Sequence, residues 1–213
     1  MDPRFDKYAE LLKDWNTRIN LTAITDDEEI RVKHFEDSLT ILPYIKENST
    51  LVDVGTGAGF PGIPVAIARP DVNVTLVDSL EKRVKFLNCV VETLGLTNVT
   101  CIHSRAEDFG KNPDYREKFD HATARAVASM PVLLEYCLPL VKAGGSFIAM
   151  KGANAADEKF DKALKVLGGK LKATDKFVLE GTDMERCIFT VEKAGKTPPQ
   201  YPRKAGLPTK KPL

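Results

Sequence analysis

No stretch of this 213-residue chain approaches the roughly 18 consecutive apolar residues that a membrane helix requires. The opening segment, MDPRFDKYAE, lacks the apolar core of a secretion signal, so export is not expected. Cysteine is scarce. Cys89, Cys101, Cys137 and Cys187 lie far apart without a C-x-x-C pair, which argues against a disulfide framework, a zinc site or a redox dithiol. They read as buried or half-buried thiols in a reducing compartment. Three histidines (His34, His103, His121) form no evident dyad with a nucleophile. A dominant charge is lacking too: 31 Lys and Arg against 30 Asp and Glu exclude both a globally basic nucleic-acid binder and an acidic solvating chain. The resulting expectation is a cytoplasmic monomer without metal or membrane attachment, built on a sizeable core.

The near-zero balance conceals an asymmetry. Residues 1–50 carry 7 basic and 11 acidic side chains, whereas residues 193–213 carry 6 basic ones and no acid. That tail also holds Pro198, Pro199, Pro202, Pro208 and Pro212. Proline opposes helix, so its cations are expected on extended chain. Two readings stay open: a disordered, solubilising end, or a phosphate-contacting arm using Arg203, Lys204, Lys210 and Lys211. The expected organisation is a helical extension over 1–49, a main domain over 50–194 and the basic, proline-rich tail over 195–213.

Phe5, Tyr8, Leu11, Leu12, Trp15 and Ile19 recur at helical spacing, predicting an amphipathic helix over 3–18. A polar loop follows from Asn16 to Thr25. A second helix is expected to open at Asp26-Asp27 and run past Ile30, His34, Phe35, Leu39 and Leu42 until Pro43. His34 and Asp37 would meet there at i, i+3, as a structural pair. From Thr50 the period changes. Short apolar runs at 50–54, 73–77, 99–103, 119–124 and 146–150 read as strands, separated by helical segments near 62–69, 80–95 and 129–141 and followed by one near 155–168. Residues 171–179 and 186–193 read as two strands joined by the Gly181-Thr182-Asp183 turn, with no helix between them. The pattern predicts an α/β, doubly wound, mostly parallel sheet of seven strands with a closing antiparallel hairpin.

The most informative segment is Asp53-Val54-Gly55-Thr56-Gly57-Ala58-Gly59-Phe60-Pro61-Gly62, between a strand and a helix. Glycines at such a turn adopt backbone angles other residues avoid and let a ligand approach the main chain. The crevice at a strand's carboxyl end is where α/β sheets bind ligands. Gly57, Gly59 and Gly62 satisfy the dinucleotide pattern G-x-G-x-x-G, which alone says little. Asp53 argues the other way: a carboxylate beside the loop suits a sulfonium and ammonium cation better than a pyrophosphate. Asp78, closing the second strand, can accept both hydroxyls of a ribose and fits either ligand. After His103, the loop Ser104-Arg105-Ala106-Glu107-Asp108-Phe109 either meets an adenine through Ala106 and Glu107 or starts a short helix. Arg125 and Lys151 end two further strands at the same sheet edge, which favours an anionic substrate.

These residues resemble the class I S-adenosylmethionine-dependent methyltransferases and, more narrowly, the glucose-inhibited division protein B family of ribosomal RNA small-subunit methyltransferases. The resemblance rests on Asn20-Leu21-Thr22-Ala23-Ile24, Lys33 through Leu39, Asp53 through Pro64, Asp78 through Arg83, Arg125-Ala126, Lys151-Gly152 and Tyr201 through Pro208. Gly59-Phe60-Pro61-Gly62-Ile63-Pro64 together with the proline-rich ending is its most specific part. It implies a Rossmann-like fold and methylation of N7 of guanine 527 in bacterial 16S ribosomal RNA, using S-adenosyl-L-methionine. It also implies cofactor contacts at Gly55, Phe60, Ala106, Glu107 and Arg125, beside Asp53, Gly57, Gly59 and Asp78 from the loop argument. Three rivals share parts of this pattern: a small-molecule methyltransferase, a nicotinamide oxidoreductase, and a non-catalytic RNA-binding or cofactor-sensing module.

Overall fold

The computed structural model describes residues 2–125, 128–152, 155 and 158–213. The strands are β1 Thr50–Val54, β2 Asn73–Asp78, β3 Val99–His103, β4 Phe119–Arg125, β5 Val141–Gly152, β6 Gly169–Val178 and β7 Glu185–Lys193. They form one seven-stranded sheet in the order β3-β2-β1-β4-β5-β7-β6. The first five are mutually parallel, while β7 pairs antiparallel with both β5 and β6. The closing hairpin is therefore present, with β7 inserted beside β5. The helices are α1 Arg4–Asn16, α2 Asp27–Ile30, α3 Asp37–Leu39, α4 Gly62–Ala68, α5 Glu81–Leu94, α6 Ala106–Phe109, α7 Met130–Cys137, α8 Asp161–Leu167 and α9 Leu207–Lys210.

Side chains alternate across each strand, so one sheet supplies two cores. Leu51, Val74, Leu76, Ile148 and Ile188 pack with α1, α4 and α5 on one face. Val52, Val54, Ala122, Ala124, Phe147 and Phe189 pack with α7 and α8 on the other. Covering both faces explains why β1 reads as a continuous apolar run rather than an alternating one. Tyr8 and Leu12 of α1 are fully buried, and each such burial is worth roughly 1.5–3 kcal/mol. Gly95, at φ +62°, stops α5 with a left-handed residue.

Two expectations about the chain's ends are corrected. The second helix is not continuous. Asp26 caps α2 by accepting from the Glu29 N–H at 3.0 Å, but Arg31–Glu36 then widens into a π-helix before α3, and Pro43 lies within a 3₁₀ turn, Leu42–Tyr44. The widened turn aims His34 and Asp37 at Arg125 of β4 instead of at each other. The tail is not extended chain. Arg116 donates to the carbonyls of Thr197, Pro198 and Tyr201, at 2.9, 3.2 and 2.7 Å, and so fastens the tail to the body. Pro208 lies in the first turn of α9, where a missing N–H costs nothing. Arg203 forms a forked ion pair with the wholly buried Glu135, and Lys193, also buried, pairs with Glu117 at 3.2 Å. Lys196, Lys204, Lys210 and Lys211 remain exposed. The expected helix near 155–168 falls partly outside the described residues, as does Ala126; α8 is its described portion. Cys137 and Cys187 are buried, Cys89 and Cys101 half-buried, and all four thiols are free.

Candidate active site

The glycine loop leaves β1 at the carboxyl edge of the sheet, braced from two strands. Gly55 and Thr56 donate their N–H groups to the Val77 carbonyl at 2.9 and 3.1 Å. Gly57 adopts φ +63° with open space where a side chain would sit, so its backbone is free for close approach by a ligand. Gly59 and Gly62 serve packing: a Cβ on Gly59 would lie 2.6 Å from both Ile63 and the Tyr8 hydroxyl, and one on Gly62 only 2.2 Å from Leu76.

Asp53 lies under this loop, completely buried. Its Oδ2 accepts from the Thr56 hydroxyl at 2.6 Å and the Gly62 N–H at 2.9 Å, whereas Oδ1 has no partner among the described residues. Burial raises its pKa to about 6, against the pull of those two donors and of Arg125. An unpartnered carboxylate oxygen beneath an open glycine loop suits a cationic ligand and repels a pyrophosphate. The loop therefore fits a sulfonium nucleoside better than a nicotinamide dinucleotide.

A cavity of about 250 Å³ opens beside the loop, lined by Gly55, Asp78, Ser104, Ala106, Glu107 and Tyr136 among others. Asp78 is 3% exposed; its oxygens accept from the Gly57 and Leu80 N–H groups, each at 2.9 Å. The Arg83 guanidinium adds a third contact at 3.5 Å, and since a carboxylate has about four acceptor positions, capacity remains for a ribose hydroxyl. Glu107 and Asp108 lie in the first turn of α6, so the short helix is present, and Ala106 and Glu107 also line the cavity.

The remaining site residues gather in a second cavity, of about 410 Å³, lined by Lys33, His34, Asp37, Arg125, Met150, Lys151, Gly152 and Arg186. Arg125 donates to Asp37 Oδ2 at 3.0 Å, to the Lys33 carbonyl at 3.3 Å and to His34 Nδ1 at 3.2 Å. Because guanidinium only donates, Nδ1 accepts and the proton resides on Nε2, which lies 2.8 Å from the Thr22 hydroxyl. Burial, reinforced by Arg125, lowers His34 to about 4, so the ring is neutral at pH 7. Lys151 is held by Glu158 and the Ala128 carbonyl, each at 2.8 Å. Phe60 is a buried wall, stacked on His34 at 4.5 Å and under Arg125 at 5.0 Å.

The structure thus brings Gly55, Asp78, Ala106 and Glu107 into the first cavity and Arg125 and Lys151 into the second. Asp53, Gly57, Gly59 and Phe60 line neither cavity. Arg203 is turned away to Glu135, and Lys204, Lys210 and Lys211 lie on the outer surface of the tail. Arg186, which the sequence reading missed, joins the second cavity with its Nε 2.7 Å from Asp37 Oδ1. A signal for it existed. A strand antiparallel to β5 must begin where β5 ends, and Arg186 pairs with Gly152 in that register.

The strand order, the glycine loop after β1 and the acid ending β2 define the fold of S-adenosylmethionine-dependent methyltransferases. A crystal structure of a SAM dependent methyltransferase from Aquifex aeolicus shares it, with TM-score 0.59 and 17% identity over 84% of this chain and 98% of that one. So does the structure of M. jannaschii TYW2 in complex with AdoMet, with TM-score 0.58 and 15% identity over 75% of each chain. Residues 1–185 match the model of the GidB family, rRNA small subunit methyltransferase G, and the chain belongs to that family. The ribosomal RNA small subunit methyltransferase G of Acetivibrio thermocellus is 56% identical, covering 99% of this chain and 88% of that protein. That of Clostridium perfringens is 55% identical, covering 99% and 90%.

Proposed function

We propose that the chain transfers a methyl group from S-adenosyl-L-methionine to N7 of guanine 527 in 16S ribosomal RNA of the small subunit. The observation that supports this most is the pairing of two cavities on one sheet edge. One is nucleoside-sized and acidic at Asp78; the other is rimmed by Lys33, Arg125, Lys151 and Arg186. The cofactor, when bound, supplies an electrophilic methyl group carried on a sulfonium. Asp78 would hold its ribose, Ala106 and Glu107 its adenine, and Asp53 with the Gly57 backbone its cationic portion.

Guanine N7 has a lone pair and loses no proton on attack, so the reaction needs no general base. That accords with His34, a neutral imidazole already engaged on both nitrogens. The work left to the protein is alignment of the reacting atoms, an effect worth roughly 7–11 kcal/mol at best. Arg125 and Lys151 are the positioning candidates, with Arg186 beside them, for the guanine O6 or its phosphates. Lys204, Lys210 and Lys211 are candidate outer contacts to a single-stranded or loosened RNA segment.

The test is methyl transfer from tritium-labelled cofactor to small subunits from cells lacking this activity, followed by aniline cleavage at 7-methylguanine. One new cut at guanine 527 is expected. Transfer to a small molecule with none to RNA would overturn the substrate assignment.

A further inference from the structure

The folded tail does more than pack against the body. Gly206 and Thr209 line the same cavity as Asp78, Ala106 and Glu107. The Gly206 N–H donates to Glu107 Oε1 at 2.8 Å. The Tyr136 hydroxyl lies 3.2 Å from Thr209 Oγ1 and 3.4 Å from that same Glu107 oxygen. Body and tail thus meet in one hydrogen-bonded cluster on the wall of the cavity, where Glu107 is 5% exposed.

This closure is built. Arg203, three residues before Gly206, places Nε 2.8 Å and Nη2 2.6 Å from the two oxygens of Glu135, and its own N–H donates to Oε1 at 2.8 Å. Glu135 and Tyr136 are neighbours on α7, so one helix anchors the strap and also supplies the hydroxyl that meets it. Gly206 sits at φ +77° with open space around its missing Cβ. That left-handed backbone angle strains any residue with a Cβ, so the glycine answers to the conformation that carries its N–H to Glu107 and not to crowding.

Resting on the cofactor reading above, we infer that residues 203–209 form a wall of the S-adenosylmethionine site on its nucleoside side. In this inference Arg203–Glu135 acts as a positioning pair, and Gly206 and Thr209 set cofactor affinity through Glu107 and Tyr136. The first cavity holds Asp78 and the Ala106–Glu107 turn, the groups assigned to ribose and adenine, while Asp53 is not among its lining residues. The strap thus faces the nucleoside and not the amino-acid portion of the ligand.

The experiment compares the full chain with one ending at Lys204, which keeps the Arg203–Glu135 pair but loses Gly206 and Thr209. Calorimetry with S-adenosylhomocysteine should show affinity falling about tenfold, the equivalent of about 1.4 kcal/mol. Affinity for 5′-methylthioadenosine, which lacks the amino-acid end, should fall by the same factor. A general loosening would instead lower the thermal midpoint and disturb the two ligands unequally. Thr209→Ala in the full chain repeats the test without removing backbone and should weaken both ligands about threefold. If both variants bind both ligands as tightly as the full chain does, the strap assignment is overturned and the cofactor reading stands. Failure of the full chain itself to bind S-adenosylhomocysteine would overturn both.

Discussion

Arg125 covers Phe60: the guanidinium carbon lies 5.0 Å from the centre of the phenyl ring. Phe60 belongs to the glycine loop of the first cavity, and Arg125 lines the second. The contact joins the two through one stacked pair, favourable because the electron-rich ring face meets a cation sheltered from water. Asp37, 3% exposed, completes the arrangement by accepting from Arg125 and Arg186 on separate oxygens.

Removing Arg125 should therefore disturb stability as well as catalysis. Arg125→Ala leaves Asp37 with one cation instead of two, and breaking a buried pair costs about 3 kcal/mol. Arg125→Lys keeps the charge but loses the fork and the flat face over Phe60, and should cost roughly half as much. Urea titration measures both. An unfolding midpoint for Arg125→Ala equal to that of the unaltered chain would show that the pair contributes no net stability.

The sequence exposed this site unevenly. Gly55, Asp78, Ala106, Glu107, Arg125 and Lys151 were legible because each ends a strand or opens a turn, and parallel topology sends all such ends to one edge. The alternation of strands with helices and the closing hairpin followed from apolar period and turn residues. The π-helical turn at Arg31–Glu36 was not legible, since six helical residues with one wider turn have the same local composition as an α-helix. The tail misled for a different reason. Proline and lysine favour extended chain locally, but Glu135, Glu107 and Arg116 lie between 68 and 99 residues away in sequence along their contacts, far beyond any local window. Such long-range partners override local preference and turn Arg203 inward.

Asp78→Asn should weaken the cofactor without abolishing the fold. The amide oxygen can still accept from one of the two backbone donors, but the charge-assisted bonds to a ribose are lost. Hydrogen bonds to charged groups are worth about 1.5–3 kcal/mol, so affinity should fall roughly 10- to 100-fold. Calorimetry with S-adenosylhomocysteine reads this directly, and an unchanged dissociation constant would remove Asp78 from the ribose contact.

Cofactor binding should also depend on pH through Asp53. Burial raises its pKa to about 6, so the free protein takes up a proton there as pH falls through that value. A cationic ligand favours the ionised carboxylate, and binding must expel that proton. Affinity is therefore expected to be level above about pH 7 and to drop by up to about tenfold per pH unit below 6. Asp53→Asn should be weaker at pH 8 but lose this dependence. A wild-type affinity that is constant from pH 8 to pH 5 would assign the cation elsewhere.

The exposed lysines of the tail are the last to test, because only they separate RNA from other anionic substrates. Lys204, Lys210 and Lys211 are exposed, and the tail that carries them is anchored through Arg203 and Arg116. They are thus carried on chain fastened to the body instead of on an unattached extended arm. Each phosphate neutralised releases counterions, which makes log K fall with log salt by about 0.7 per contact on single strands. Lys210→Ala with Lys211→Ala should weaken small-subunit RNA binding and reduce that slope by about 1.4 if both contacts are made. Both lysines project from α9 or its end, outside the Arg203–Glu135 anchor, so the thermal midpoint should stay where it is. A salt slope equal to that of the unaltered chain would confine RNA recognition to the cavity rim formed by Lys33, Arg125, Lys151 and Arg186.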